Sequence, residues 1–239
     1  MRSLALAVVV ASLMAATDLM LLLTLGVLDA RAQTVDLGEE LLGARVSEFE
    51  IRNGTLFDGL ARLSTEPTQL SFAFEFVLTA HPHDPPIPEE RFSVYMNDKT
   101  IREDLTMLCS ADGRYTWTRD GTTINVYPKE TIGDNSYLMN RRLPKLELKE
   151  VSAAEGAMFA AVAQLPLPFE QIAFAQAGGD TSFQKPWSTA LENLTLRQTL
   201  NLIARNITPR GGWVLSGSRE FRTVGFHNQR IHASQTKSE

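Results

Sequence analysis

Thr100-Ile-Arg-Glu-Asp-Leu-Thr-Met-Leu-Cys109 returns 95 positions later as Thr195-Leu-Arg-Gln-Thr-Leu-Asn-Leu-Ile-Ala204. Each stretch opens with Thr, an aliphatic residue and Arg. Ile101, Leu105, Leu108 and Cys109 in the first, and Leu196, Leu200, Ile203 and Ala204 in the second, recur at helical spacing. A threonine hydroxyl suits an N-cap, where it accepts from an amide of the first turn. An apolar stripe at that spacing needs a core to cover it. The pair predicts two amphipathic helices in equivalent places of two similar units.

The flanking sequence supplies the other elements. Residues 45–51 read as a strand, and Asn53-Gly54 as a turn. Thr55 caps a helix with Leu56, Leu60 and Leu63 on one face, which Pro67 bars from continuing. Residues 70–76 form a strand with Phe72, Phe74 and Phe76 on one side, and the proline-rich residues 81–88 a stiff loop. Residues 91–97 alternate, with Phe92, Val94 and Met96 inward and Arg91, Ser93 and Tyr95 outward. After the Thr100 helix, Asp120-Gly121 joins strands 115–119 and 122–127 in a hairpin.

Residues 129–142 are polar and aperiodic and read as a linker. The order then restarts: strand 145–151, a helix capped by Ser152 and carrying Met158, Phe159, Val162 and Leu165, and strand 169–174, whose Ala173-Phe174 echoes Ala73-Phe74. A loop over 176–187 built on Gly178-Gly179, strand 188–194, the Thr195 helix and a hairpin around Ser216-Gly217-Ser218 complete it. The expectation is an α+β protein of two small domains, 45–128 and 143–228. Each would run β-α-β-β-α-β-β with two helices packed between small sheets. Residues 33–44 would be a short leader and 229–239 a disordered tail.

Residues 1–32 read as a signal peptide. Arg2 precedes a long apolar run, and Ala30-Arg31-Ala32 before Gln33 is a small-x-small cleavage site, which predicts a mature chain beginning at Gln33. The alternative is an anchor over residues 4–28. Asp18, in the middle of that run, opposes it by about 2.5–3.5 kcal/mol. The net charge of −5 is the same with or without residues 1–32 and gives no general attraction for nucleic acid. The single cysteine, Cys109, lies on the apolar face of its helix and reads as a buried structural thiol.

Phe-x-Ile-x-Asn-Gly-Thr-Leu-x-x-Gly-Leu-x-x-Leu over residues 49–63 forms a unit with Val94-Tyr-Met-Asn-Asp-Lys-Thr-Ile-Arg-Glu-Asp-Leu105 and the Tyr115-Thr-Trp and Ile124-Asn-Val126 strands. Together they resemble the secretin and TonB N-terminal short domain, the STN domain. Residues 45–128 carry the resemblance. A second copy over 144–227 follows it more weakly, chiefly through Asn193-Leu-Thr-Leu-Arg-Gln-Thr-Leu200. The resemblance implies periplasmic protein–protein contact in a bacterial envelope, as in secretins and TonB-dependent receptors. The companions usual in that family, a β-barrel or a secretin segment, do not follow within the 239 residues. The expected partner is an envelope protein, with contact to the membrane only through an uncleaved signal segment. A homo-oligomer is compatible with the sequence.

No arrangement of residues points to catalysis, a cofactor or a resident metal. His81-x-His83-Asp84 could supply metal ligands, but His227 and His232 are far off in sequence, and zinc sites take three or four protein ligands. The sequons at Asn53, Asn193 and Asn206 are explained by turns and, at Thr55 and Thr195, by helix caps. No nucleophile elbow or phosphate-cradling loop is present. Trp117, Trp187 and Trp213 could line a peptidoglycan or other glycan site, the alternative to a protein-binding module, and two of them fall at strand positions that suit a core. The candidate partner-binding residues are Arg91, Ser93 and Tyr95, on a strand whose edge a partner could extend.

Overall fold

The computed structural model describes residues 36–65, 70–165, 171–178 and 180–227. The signal segment over 1–32, its cleavage site at Ala32 and Gln33, the alternative anchor and the tail over 229–239 lie outside those residues. The chain runs α1 (Leu37–Gly43), β1 (Arg45–Gly54), α2 (Leu56–Thr65), β2 (Ser71–Glu75), β3 (Phe92–Thr100), α3 (Ile101–Ala111), β4 (Tyr115–Asp120) and β5 (Thr123–Pro128). Two 3-10 turns, Lys129–Thr131 and Leu138–Asn140, lead into β6 (Arg142–Ala153). Then follow α4 (Ala154–Val162), β7 (Ile172–Gly178), β8 (Ser182–Thr195), α5 (Leu196–Ile207), β9 (Gly212–Gly217) and β10 (Arg222–His227). The fold is α+β, and β-α-β-β-α-β-β occurs twice.

The repeated helices form as their caps dictate. Thr100 Oγ1 accepts from the Glu103 amide while the Glu103 carboxylate accepts from the Thr100 amide, and Thr195 and Gln198 do the same. These reciprocal bonds satisfy donors that would otherwise be orphaned at each helix start. Thr55 and Asp58 make a third such box at α2.

β1 and β3 form an antiparallel ribbon, and so do β6 and β8. The remaining strands make one six-stranded sheet in the order β4-β5-β2-β9-β10-β7. The first half supplies β4-β5-β2, the second β9-β10-β7, and they join where β2 runs parallel to β9. Alternate residues of β2 enter different cores. Phe72 and Phe74 belong to the first half's core with Leu60, Leu105 and Ile124, whereas Ala73 belongs to the second half's with Leu200, Trp213 and Phe226. Successive strand residues point to opposite faces, so each half lays its helices on its own side of the shared sheet, with its ribbon outside them.

The repeat extends beyond the helices. Arg45 bonds the Asp98 carbonyl at 2.8 Å, and Arg142 the Asn193 carbonyl at 2.7 Å. Asp98 and Asn193 both have positive φ, as do Asn53 and Glu150, which occupy matching bulges. Ser93 Oγ accepts from the Asn53 amide and Ser188 Oγ from the Glu150 amide, each at 2.9 Å. Both ribbons therefore carry the same two left-handed residues held by the same side-chain types.

Several boundaries differ from the sequence reading. The 129–142 segment is no free linker, because Thr131, Leu138 and Met139 are buried. Leu138 and Met139 show no period in a polar stretch, so their burial left no sequence pattern. In the leader, read as loose or a helical turn, helix α1 forms and seats Leu42 in the first core. Ala153, not Ser152, is the N-cap of α4 and makes no side-chain bond. β8 begins at Ser182, so most of the expected 176–187 loop is strand. Pro186 obscured this, yet β8 pairs only with β6, and an outer strand tolerates a missing amide.

Candidate interaction surface

Ser93 and Tyr95 lie on β3 and Arg91 stands just before it, all three exposed, and they do different work. Ser93 Oγ holds the Asn53 amide, and Arg91 Nη1 donates to the Asn53 carbonyl at 2.8 Å. These two stabilise the left-handed turn at Asn53, whose φ is 48°. Tyr95 opposes Glu50 across the ladder and is 60% exposed, an aromatic presented to solvent. Among the described residues β3 pairs with β1 alone, so its other side is a strand edge.

A second polar cluster lies where the halves meet. Glu75, at the end of β2, is buried and receives two bonds from the Arg197 guanidinium of α5. Tyr137 donates its hydroxyl to the same carboxylate at 2.9 Å. Arg197 also donates to Asn140 Oδ1 at 2.7 Å and lies 4.3 Å from the centre of the Tyr127 ring. Burial lowers the affinity of Arg197 for its proton, but Glu75 more than compensates and holds the cation charged. Burial and the Glu75 charge both raise the Tyr137 phenol. One helical turn on, Asn201 donates to Asp120 Oδ2 at 2.9 Å, and Arg205 to the Asp120 carbonyl at 2.7 Å. Arg197, Asn201 and Arg205 share one face of α5, so that face grips both β2 and the β4–β5 turn. The sequence reading missed this cluster. Its available signal was the shared Thr-x-Arg opening, which places an arginine in the first turn of each helix.

The other candidates have local roles. His81 Nδ1 lies 2.8 Å from Glu220, and that contact raises its pKa, while Asp84 accepts from the His81 amide. Among the described residues no group of three or more His, Cys, Asp or Glu side chains could hold a metal ion. Cys109 is buried, and burial pushes its thiol up to about 12, with Lys129 opposing. Trp213 is fully buried, its indole donating to Asn201 at 2.8 Å, and Trp187 packs edge-on against Phe183. Thr55 and Thr195 act as caps, which accounts for two of the three sequons. No described helix is long and apolar enough to cross a membrane. Comparison with protein-family models, curated proteins and solved structures finds no match to this chain.

Proposed function

We propose that this chain is an exported protein-interaction module of a bacterial envelope, periplasmic after removal of residues 1–32 or held to the inner membrane by residues 4–28. The observation that carries the reading is the β1–β3 ribbon, which offers a strand edge beside the exposed Tyr95. A partner strand added there gains main-chain hydrogen bonds for affinity and side-chain contacts for selectivity. The repeated β-α-β-β-α-β-β order supports the link to the STN domains of secretins and TonB-dependent receptors. The glycan alternative draws no support from Trp213, which is enclosed and hydrogen-bonded.

Affinity purification from the native envelope tests the reading. The unaltered chain is expected to retain an envelope protein that Tyr95→Ala loses at least about tenfold, since buried aromatic anchors contribute on the order of 2 kcal/mol. Tyr95→Phe should keep most of the capture. Equal capture by the unaltered chain and Tyr95→Ala would remove the ribbon as the site. Retention of isolated cell-wall sacculi instead of a protein would favour the glycan reading.

A further inference from the structure

The six-stranded sheet is already an example of strand addition. β2 of the first half lies on the β9 edge of the second, with Ala73, Phe74 and Glu75 opposite Trp213, Val214 and Leu215. The Phe76 amide donates to the Leu215 carbonyl at 2.9 Å. The join is head to tail, because it uses the β2-type edge of one half and the β4-type edge of the other. Each half has both edges, so one of each remains at the ends of the sheet: β4 from the first half and β7 from the second.

The β4 end repeats the site that β9 presents. Trp117 and Trp213 stand 96 positions apart, each four residues before the hairpin glycine, Gly121 or Gly217. Each indole donates to the equivalent helix position, Thr106 on α3 or Asn201 on α5. The gripping residues Arg197, Asn201 and Arg205 correspond to Arg102, Thr106 and Ser110. The three on α5 are buried or half-buried, whereas the three on α3 are all exposed. Trp213 is buried and Trp117 only partly so, and Thr118 is exposed where Val214 is half-covered. The Lys129 amide bonds the Arg114 carbonyl at 2.8 Å, and the antiparallel alternation then turns the Trp117 amide away from β5.

The β7 end matches this site. Trp117 and Trp213 oppose Val126 and Phe226, which in turn oppose Phe74 of β2 and Gln176 of β7, so Ala175-Gln176 stands where β2 has Ala73-Phe74, and Ala177 follows in the place of Glu75. The one charge difference is balanced. In the internal join Arg197 meets the neutral Asn140 of its own half and the Glu75 carboxylate of the added strand. At the β4 end Arg102 already pairs with Glu39 of α1, which also lies 3.1 Å from Arg119, so the added strand need not bring a carboxylate there. Ala177 is neutral and small.

We propose that copies of this chain assemble head to tail, the β7 edge of one adding in parallel to the β4 edge of the next with the register of the internal join. Ala175 and Gln176 then lie opposite Trp117 and Thr118. A heterologous contact of this kind leaves the same two edges at the ends of every assembly, so it grows until a ring closes. It uses a different surface from the β1–β3 ribbon, and Tyr95→Ala should leave it unchanged.

Sedimentation of the full chain over a concentration series, with hydrogen exchange at Trp117 in the same samples, tests this. Mass is expected to rise by whole chains, and the Trp117 amide to slow in step. Mixing Thr118→Cys with Gln176→Cys should give a disulfide between the two variants, since neighbouring strands lie about 4.8 Å apart. Cys109, enclosed in the core, should stay reduced. Should Gln176→Cys not fold, mass and exchange of the unaltered chain still decide. A monomer at every concentration overturns the proposal. So does a slow Trp117 amide in a monomer, which means that the chain covers its own edge, and so does a disulfide between two Thr118→Cys chains as the main product, which means symmetric pairing of two β4 strands.

Discussion

Asp104 is the residue at which the two halves differ most in chemistry. It sits in the first turns of α3, fully buried, and neither carboxylate oxygen has a hydrogen-bond partner. Burial raises its pKa to about 6, Glu103 adding and Lys99 opposing. The equivalent residue of α5 is Thr199, which donates its hydroxyl to the Thr195 carbonyl at 3.0 Å. A carboxyl whose folded pKa is raised holds its proton longer folded than unfolded. Its penalty is therefore absent below the unfolded value, grows as pH rises to about 6, and is constant above that. Asp104→Thr should thus stabilise the chain by about 1–2 kcal/mol near neutral pH, and the gain should vanish near pH 3. Urea unfolding of both proteins at the two pH values checks this, and a gain of the same size at both would point to packing instead.

At the scale of elements, the helices are the best-specified parts. Period, cap and breaker agree at α2, α3 and α5, and the structure places Leu56, Leu60, Leu105 and Leu200 in the cores as the stripes require. Thr195→Ala removes the acceptor for the Gln198 amide and should cost about 1 kcal/mol, as should Thr100→Ala for Glu103. Thr100→Ser and Thr195→Ser should retain most of that, as denaturant midpoints at constant slope would report. Strands were less legible. β8 carries Pro186 and opposes a bulged β6, so no alternation marks its first half. The ribbon repeat, Arg45-Val-x-x-Phe-Glu-Ile against Arg142-Leu-x-x-Leu-Glu-Leu, is present in the sequence. Without knowing that Asp98 and Asn193 take positive φ, nothing marked those arginines as clamps.

At the scale of the molecule, the halves keep separate cores but share a sheet, and the Glu75–Arg197 pair is the polar centre of the join. Arg197 is 13% exposed in its side chain and Glu75 1%, so neither charge can return to water when its partner is lost. Glu75→Ala should destabilise the chain by about 3–5 kcal/mol, because it leaves a buried guanidinium without its carboxylate. Replacing both, as Glu75→Leu with Arg197→Met, should recover much of that loss. A double-mutant cycle in urea measures the coupling. Additive effects would show that the pair does not hold the halves together.

What the sequence by itself determined is local and repeated: the caps at Thr55, Thr100 and Thr195, the apolar faces of the helices, the hairpin at Asp120-Gly121, and from their order an α+β protein with one motif used twice. It also placed Ser93 and Tyr95 on one outward face of a strand, because side-chain alternation is a property of the strand alone, whereas Arg91 stands just before β3. Only the tertiary structure decided that β2 would pair with β9, that the helices of the two halves would take opposite faces of one sheet, and that Asp104 would be enclosed. Edge pairing is made by main-chain amides and carbonyls, which every residue but proline carries, so it leaves no residue signature. The side chains that select one edge over another, Glu75 and Arg197, are 122 positions apart, and nothing local to either names its partner.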